Sequence, residues 1–469
     1  MRIVRESAPI PDPGSPSQQP ATEASAKSST EQVPAEHAAQ LEEIEEFALV
    51  VVGAGPAGME AARIATRFGR SVCLIDDNPG PGGQIWRSPS SDELPSDGAD
   101  LWDAIDTRRF DYRAGSIVFA ADPSAHTLQV WDGSRTIVIR YRSLLLACGA
   151  RERFLPFPGW TDPRVVGVGG LQALSKGGFP VSGQRIVVAG TGPLLLAVAD
   201  SLRSQGAEIV EILEQTTSPR WFRFGFHVLR QLSKWPALWQ FRRNLRGVKQ
   251  SRNTWPTGVD SGPNGLRVKI SDAGHNRTID CDLLAVGFGL APNLELARHL
   301  GCAIEKEGVA VDSEQRTSIK DVFAAGELTG IGGIELAVAE ARIAAQVVCE
   351  QPVQNNERRA ASRGQEFARA LARDFALRPE LRNLAQPSTV VCRCEDVPYS
   401  SLAEHNSWRS AKLHTRCGMG PCQGRVCGQA TEFLFEWATG SIRPPISPVP
   451  TAAWPSPNEV ILRPKDRRE

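Results

Sequence analysis

The sequence predicts an α/β architecture: two doubly wound, Rossmann-like units of the dinucleotide-binding kind, followed by a small C-terminal cysteine domain. Three observations carry this. Two segments read as buried strand, glycine turn, helix and strand, FALVVVGAGPAGMEAARIATRFGRSVCLIDD and QRIVVAGTGPLLLAVADSLRSQGAEIVEILE. A third block, TSIKDVFAAGELTGIGGIELAVAEARIAAQVV, repeats strand, glycine-rich turn and helix. Five of the ten cysteines crowd between Cys392 and Cys427.

Composition narrows the class. At roughly 100–200 residues per domain, 469 residues supply two to four domains. A hydrophobic fraction of 41% and a charged fraction of 23% exclude wholesale disorder. Fifty-three basic against 53 acidic residues give no basic excess, so no nucleic-acid partner is expected. No run approaches the ~18–20 apolar residues of a membrane span. The opening MRIVRESAPIPDPGSPSQ lacks a secretory apolar core, which points to the cytoplasm.

Residues 1–46 read as a Pro/Ser-rich disordered tail. Residues 47–180 form the first part of one nucleotide-binding domain, 181–288 a second such domain, and 289–350 the return to the first. Within the first, SIVFAADPSAHTLQVWDGSRTIVIRYRSLLLACG reads as an antiparallel meander turning at Asp132-Gly133. Residues 351–387 read as an exposed, Arg-rich helical connector, 388–445 as the cysteine domain and 446–469 as a Pro-rich tail.

The first turn, Gly53-Ala54-Gly55-Pro56-Ala57-Gly58, opens a helix after a strand. Its glycines permit a tight turn, close approach to a pyrophosphate and close helix–strand packing, and the helix N-terminus favours the anion. Asp76, 23 residues after Gly53, stands where an acid meets the ribose. Gly149 follows a buried strand, and Gly326-Glu327 ends another. Together these resemble the three FAD-contacting segments of the two-dinucleotide-binding flavoprotein fold. The resemblance implies FAD, with Glu327 at the acidic position facing the flavin's ribityl and phosphate groups. Pro79-Gly80-Pro81-Gly82-Gly83-Gln84 is expected near the isoalloxazine, with Gln84 a hydrogen-bond partner; a simple loop is the alternative.

The second turn, Gly190-Thr191-Gly192-Pro193-Leu194-Leu195, has Leu195 where the third glycine belongs, which should push the helix outward. Glu214 could still meet a ribose. The choice is between a structural remnant or altered site and a working NAD(P)H site, with the remnant favoured. Neither nucleotide unit carries the cysteine pair of a disulfide reductase.

CxC at Cys392 and Cys394, with Cys422 and Cys427 in a glycine-rich segment, suits soft-metal ligation: an iron–sulfur cluster, an all-cysteine zinc site, or free thiols as the bland alternative. VCRCEDV and TRCGMGPCQGRVC resemble the bacterioferritin-associated-ferredoxin-like [2Fe-2S] domain. That resemblance implies Cys392, Cys394, Cys422 and Cys427 as ligands and leaves Cys417 a spectator.

LIDDNPGPGGQIWR, GARERFLPFPGW and GGLQAL, followed by this domain and RPPISPVP, resemble the alpha (A-type) FAD subunit of heteromeric amino-acid and amine dehydrogenases, the opine oxidase, D-hydroxyproline dehydrogenase and hydrogen cyanide synthase group. The resemblance implies an electron-transfer role for this chain in the oxidation of an amine substrate. Its implied partners are an amino-acid-oxidase-like beta subunit together with a small ferredoxin-like one. A self-contained NAD(P)H reductase and a redox-sensing partner are the alternatives. No catalytic base is evident.

Between Glu214 and Asp260 no residue is acidic, while Arg220, Arg223, Arg230, Lys234, Arg242, Arg243, Arg246, Lys249 and Arg252 interleave with Trp221, Trp235, Trp239 and Trp255. This segment is expected to form a partner-docking face or to touch the inner face of a membrane; a solvated helix is the alternative.

Overall fold

The computed structural model describes residues 44–87, 93–229, 235–272, 274–306, 308–438 and 442–454. Alternation along the first strand, Glu45–Val52, sets two packing layers. Leu49 and Val51 pack with Ala57 and Ala61 of the helix Pro56–Arg67, whereas Val50 joins the opposite layer with Leu144 and Leu146. A strand covered on both faces must be apolar throughout, which is why ALVVV is an unbroken run.

Phe110–Arg113, Val72–Ile75, Glu45–Val52 and Thr136–Leu146 lie side by side in parallel. Thr136–Leu146 is shared along its other edge. Its first half pairs antiparallel with Thr127–Trp131 of the expected meander, and its last residues pair parallel with Val322–Ala324. That pairing carries the Gly326–Glu327 turn back beside the first glycine turn, where a Cβ on Gly326 would lie 3.2 Å from the Ala57 Cβ.

The second sheet is parallel throughout, in the order Lys249–Arg252, Glu208–Glu214, Arg185–Gly190, Leu283–Gly287, Val165–Gly167. Val165–Gly167 pairs there, so this unit begins earlier than the boundary at 180 read from the sequence. An antiparallel sheet, Thr254–Gly262, Gly265–Asp272 and His275–Cys281, interrupts it. Two short link strands, Ala150–Glu152 and Leu290–Pro292, join the units.

The cysteine domain is a hairpin, Val390–Cys392 with Val397–Pro398, and the helices Tyr399–Ala403, Trp408–Thr415 and Cys427–Phe435. It is tied to the rest through Trp160, whose indole N–H donates to the Val390 carbonyl at 2.6 Å while Arg393 covers its ring. The connector differs from its exposed reading. Helix Asn355–Asp374 ends in a fully buried Asp374, and Phe375 packs with Phe224 and Val228. The Pro-rich segment is also pinned, since Ile446 N donates to Phe119 O at 2.8 Å and Ala453 O accepts from Thr136 Oγ1 at 2.6 Å. Residues 1–43 and 455–469 of the two tails lie outside the described residues. Among the described residues no helix is long and apolar enough to cross a membrane.

Two glycines separate packing from propensity. A Cβ on Gly58 would lie 1.8 Å from Gly53 O, whereas one on Gly225, inside helix Ser218–Leu229, meets nothing within 4 Å. Gly58→Ala is expected to destabilise by about 1–3 kcal/mol and Gly225→Ala to stabilise by about 0.5–1 kcal/mol in denaturant unfolding.

Candidate functional site

The first glycine turn is held by the acid expected of it. Asp76 Oδ2 accepts from Ala54 N at 2.5 Å, and its Oδ1 accepts from Asn78 N and Nδ2 at 2.8 and 2.7 Å. The Pro79–Gln84 loop folds onto the same turn: Gly82 N donates to Ala54 O at 2.8 Å, and a Cβ on Gly83 would lie 2.9 Å from the Gly55 Cα. Gln84 is exposed. Gly53, Gly55 and Pro56 are half-exposed, and Ala57 and Gly58 are buried at the helix start. Gly149 is left-handed with open space around it.

Gly326 and Glu327 are positioned by an acid that the sequence reading missed. Glu340 Oε2, buried inside helix Ile334–Val348, accepts from Gly326 N at 2.9 Å and Thr329 Oγ1 at 2.8 Å. Burial pushes the Glu340 carboxyl up to about 7. The signal was a lone glutamate on the buried side of an Ala-rich helix. Glu327 Oε1 accepts from Gly333 N at 2.8 Å, while its Oε2 is buried with no hydrogen-bond partner. Burial raises its pKa. An unmatched acceptor beside open glycines is what a ribityl or ribose hydroxyl would satisfy, so these residues fit FAD.

The second turn has the same internal chemistry and a different outcome. Glu214 accepts from Gly192 N at 2.7 Å, Thr216 N at 2.8 Å and Thr191 Oγ1 at 3.1 Å, and burial pushes its carboxyl up to about 7. Leu195 does not stand off; it is buried with Val188 and Ile212, and its N–H closes a 3₁₀-type bond to Gly192 O. The turn is instead covered by the connector. Thr191 Oγ1 and Thr216 Oγ1 donate to Phe375 O and Asp374 O at 3.3 and 3.2 Å, and Gln215 Nε2 donates to Ala376 O at 3.3 Å. Gly190, Thr191 and Gly192 are buried. The space left against Gly192, Glu214 and Trp221 is about 10 Å³, room for about one water.

All ten cysteines are free. The Sγ atoms of Cys392, Cys417 and Cys427, all buried, lie within 4.8 Å of one another. Hydrogen bonds among the sulfurs split the thiols: Cys427 chiefly lowers Cys422 to about 5, Cys417 and Cys427 hold Cys392 far below its usual range, and Cys394, Cys417 and Cys427 are themselves pushed up. Thiolates are the metal-binding form. Glycine is needed in the intervening loop, since a Cβ on Gly420 would lie 2.3 Å from Cys394 Cβ. The donor set therefore fits a thiolate-ligated metal cluster. Cys417, expected as a spectator, sits among the other sulfurs rather than apart from them.

The basic stretch divides. Phe222, Phe226 and Trp239 are exposed by 66, 60 and 73%, and Arg220, Arg242, Arg243 and Arg246 are exposed as well. Trp235 is exposed as well, and Trp221 is half-buried against Phe375. Trp255 is core, under Arg378, and Arg223 and Lys249 are engaged by Asp374 and Glu211. Arg252 lies over Trp221 and Phe222. Arg230 and Lys234 lie outside the described residues.

Comparison with known proteins agrees with this geometry. The chain is 32% identical over 454 residues to an opine oxidase subunit of Rhizobium meliloti (strain 1021), covering 85% of this chain and 96% of that one. It is 30% identical over 479 residues to hydrogen cyanide synthase subunit HcnB of Pseudomonas protegens, covering 88% and 98%. The crystal structure of L-proline dehydrogenase from P. horikoshii shares the fold at a TM-score of 0.62 and 18% identity, over 87% of this chain and 80% of that one. The family model described as pyridine nucleotide-disulphide oxidoreductase matches residues 47–344. The chain belongs to the pyridine nucleotide-disulphide oxidoreductase family and is an FAD-dependent oxidoreductase.

Proposed function

We propose that the chain is the FAD- and [2Fe-2S]-containing electron-transfer subunit of a heteromeric dehydrogenase that oxidises an amino acid or secondary amine of the opine, hydroxyproline or glycine type. The observation that carries this is the covered second turn. With about 10 Å³ beside Gly192 and Glu214 and residues 374–376 bonded over the turn, this arrangement disfavours a nicotinamide nucleotide and favours a partner subunit as the source of electrons for the flavin. The opine oxidase and hydrogen cyanide synthase relatives are both named as subunits, which supports the existence of partner subunits; in this reading they are an amino-acid-oxidase-like beta subunit and a small ferredoxin-like one.

In this reading the first turn, Gly53, Gly55, Pro56, Ala57 and Gly58, lays backbone N–H groups along the FAD pyrophosphate. Asp76 takes the ribose, and Gly83, Gln84 and Gly149 border the ring. Gly326 and Glu327 receive the ribityl side. Bound FAD supplies reversible hydride and electron chemistry, and the protein contributes position and electrostatics. Cys392, Cys394, Cys422 and Cys427 are the cluster ligands, with Cys417 a close neighbour. Phe222, Phe226 and Trp239, with Arg242 and Arg243, form the face for a partner subunit or the inner membrane surface.

Anaerobic addition of stoichiometric NADH or NADPH is expected to leave the flavin absorbance unchanged while dithionite bleaches it; rapid bleaching by NADH would restore the reductase reading. The purified chain should hold about two iron and two acid-labile sulfide. Cys394→Ala should lose both, and Cys417→Ala should keep them. Zinc without sulfide, or the reverse pattern in the two variants, would contradict the ligand assignment. Arg242→Glu with Arg243→Glu should abolish co-purification of the partner subunits or co-sedimentation with anionic vesicles.

A further inference from the structure

The five sulfurs of the cysteine domain do not share one environment. Cys394 is exposed and Cys422 half-buried, whereas Cys392, Cys417 and Cys427 are buried. The Sγ atoms of those three lie within 4.8 Å of one another, and the Cys417 thiol is hydrogen-bonded to both of the others. All three belong to an apolar core with Val391, Val397, Leu402 and Ala411.

Several contacts hold Cys417 in that position. Helix Trp408–Thr415 ends at Arg416, whose left-handed backbone, φ 63°, turns the chain sharply just before the cysteine. Arg416 Nε also donates to Glu395 Oε2 at 2.7 Å, which ties this turn to the residue after Cys394. Cys417 N donates to Thr415 Oγ1 at 3.3 Å. Gly418 follows with φ +79°, and a Cβ on it would lie 2.6 Å from Trp408 Cζ2, so the indole closes over the same turn. A side chain pinned from both sides in a packed core has little freedom to swing away from Cys392 and Cys427.

Four thiolates complete the proposed ligand set, so Cys417 is a fifth sulfur with no iron of its own to bind. As a thiolate it would be a further buried anion beside the ligands, opposed both by desolvation and by like charge. It therefore keeps its proton, and this weak S–H donor has the neighbouring sulfurs as acceptors. Hydrogen bonds to the sulfurs are among the factors that set an iron–sulfur potential. Reduction adds one negative charge, and a donor aimed at a ligand sulfur stabilises that charge, so the potential rises. Cys417 supplies such a donor on the buried side of the sulfur group, away from solvent.

We propose that Cys417 tunes the cluster through its ligands: its S–H donates to the Cys392 or Cys427 sulfur and raises the reduction potential without binding iron. This rests on the assignment proposed above, with Cys392, Cys394, Cys422 and Cys427 as ligands. It gives a role to the one cysteine of the domain which that assignment leaves unused.

The test is a redox titration of the full chain, with its FAD retained, in which the EPR signal of the reduced cluster reports its potential. Cys417→Ala removes the donor, and Cys417→Val removes it while refilling the buried volume, should the alanine variant fold poorly. Both are expected to keep about two iron and two acid-labile sulfide. Both should be three- to tenfold harder to reduce, a fall of about 30–60 mV for one electron. Cys417→Ser restores a donor and should titrate at or above the potential of the unsubstituted chain. An unchanged or raised potential in the iron-containing alanine and valine variants, or a serine variant as low as these, overturns the tuning role and leaves the ligand assignment standing. Loss of iron and sulfide from both, with FAD retained, would make Cys417 a ligand and overturn the two together.

Discussion

A buried carboxylate is unfavourable by several kcal/mol unless cations and donors surround it. Asp374 is 0% exposed and meets that condition. Arg223 Nε donates to it at 2.7 Å and Arg373 Nη2 at 2.9 Å, and although burial opposes ionisation these cations hold its pKa below the usual carboxylate range. That grip ends the connector helix at a fixed point and sets Phe375 against Trp221 and Phe224. Residues 374–376 then satisfy Thr191, Gln215 and Thr216, the groups a nucleotide would otherwise meet. In the function proposed above, this contact is what stands between the second turn and a nicotinamide nucleotide.

A related device recurs: an inward-facing acid accepts backbone N–H groups of a glycine-containing segment and fixes it in place. Asp76 does so for Ala54, Glu214 for Gly192, Glu340 for Gly326, and Glu152 for Gly169 and Gly170 at 2.7 and 3.1 Å. The first and second turns are therefore alike in local chemistry and differ in what lies above them. Over the first, the glycine loop Gly82–Gly83 leaves Gly53 and Gly55 half-exposed; over the second, an aromatic ring leaves Gly192 buried. The two glycine fingerprints therefore differ in exposure because of tertiary cover rather than because of their own sequence.

This explains which parts were legible in the sequence. Strands such as ALVVV and RIVVAG, buried on both faces, and the Asp132-Gly133 turn report their own environment, so both α/β units and the meander could be read locally. The position of Val165–Gly167 could not, because three residues carry no period and their partner lies more than a hundred residues away. Leu195 was read correctly as unusual but for the wrong consequence, since a larger side chain can sink into the core as well as prop the helix away. The connector's role was invisible for a related reason: its composition is that of an exposed helix, with few buried positions, Glu357, Ala361, Ala370 and Asp374, before the buried Phe375. Cys417 shows the limit of motif spacing, which cannot say that a fifth sulfur lies within 4.8 Å of two others.

Charge averages hide the rest. A net charge of zero conceals two cationic regions with different surroundings. Phe222 and Trp239 protrude from two helices, Ser218–Leu229 and Trp235–Asn244, which also carry the exposed Arg220, Arg242 and Arg243. Arg409 and Arg443 line a recess with a buried, unmatched amide oxygen. A convex surface distributes its contacts over an extended partner, whereas a concave one concentrates field and donors on a compact ligand. The first is joined through Arg223 to the cover over the second turn, and the second borders the Cys422–Cys427 loop.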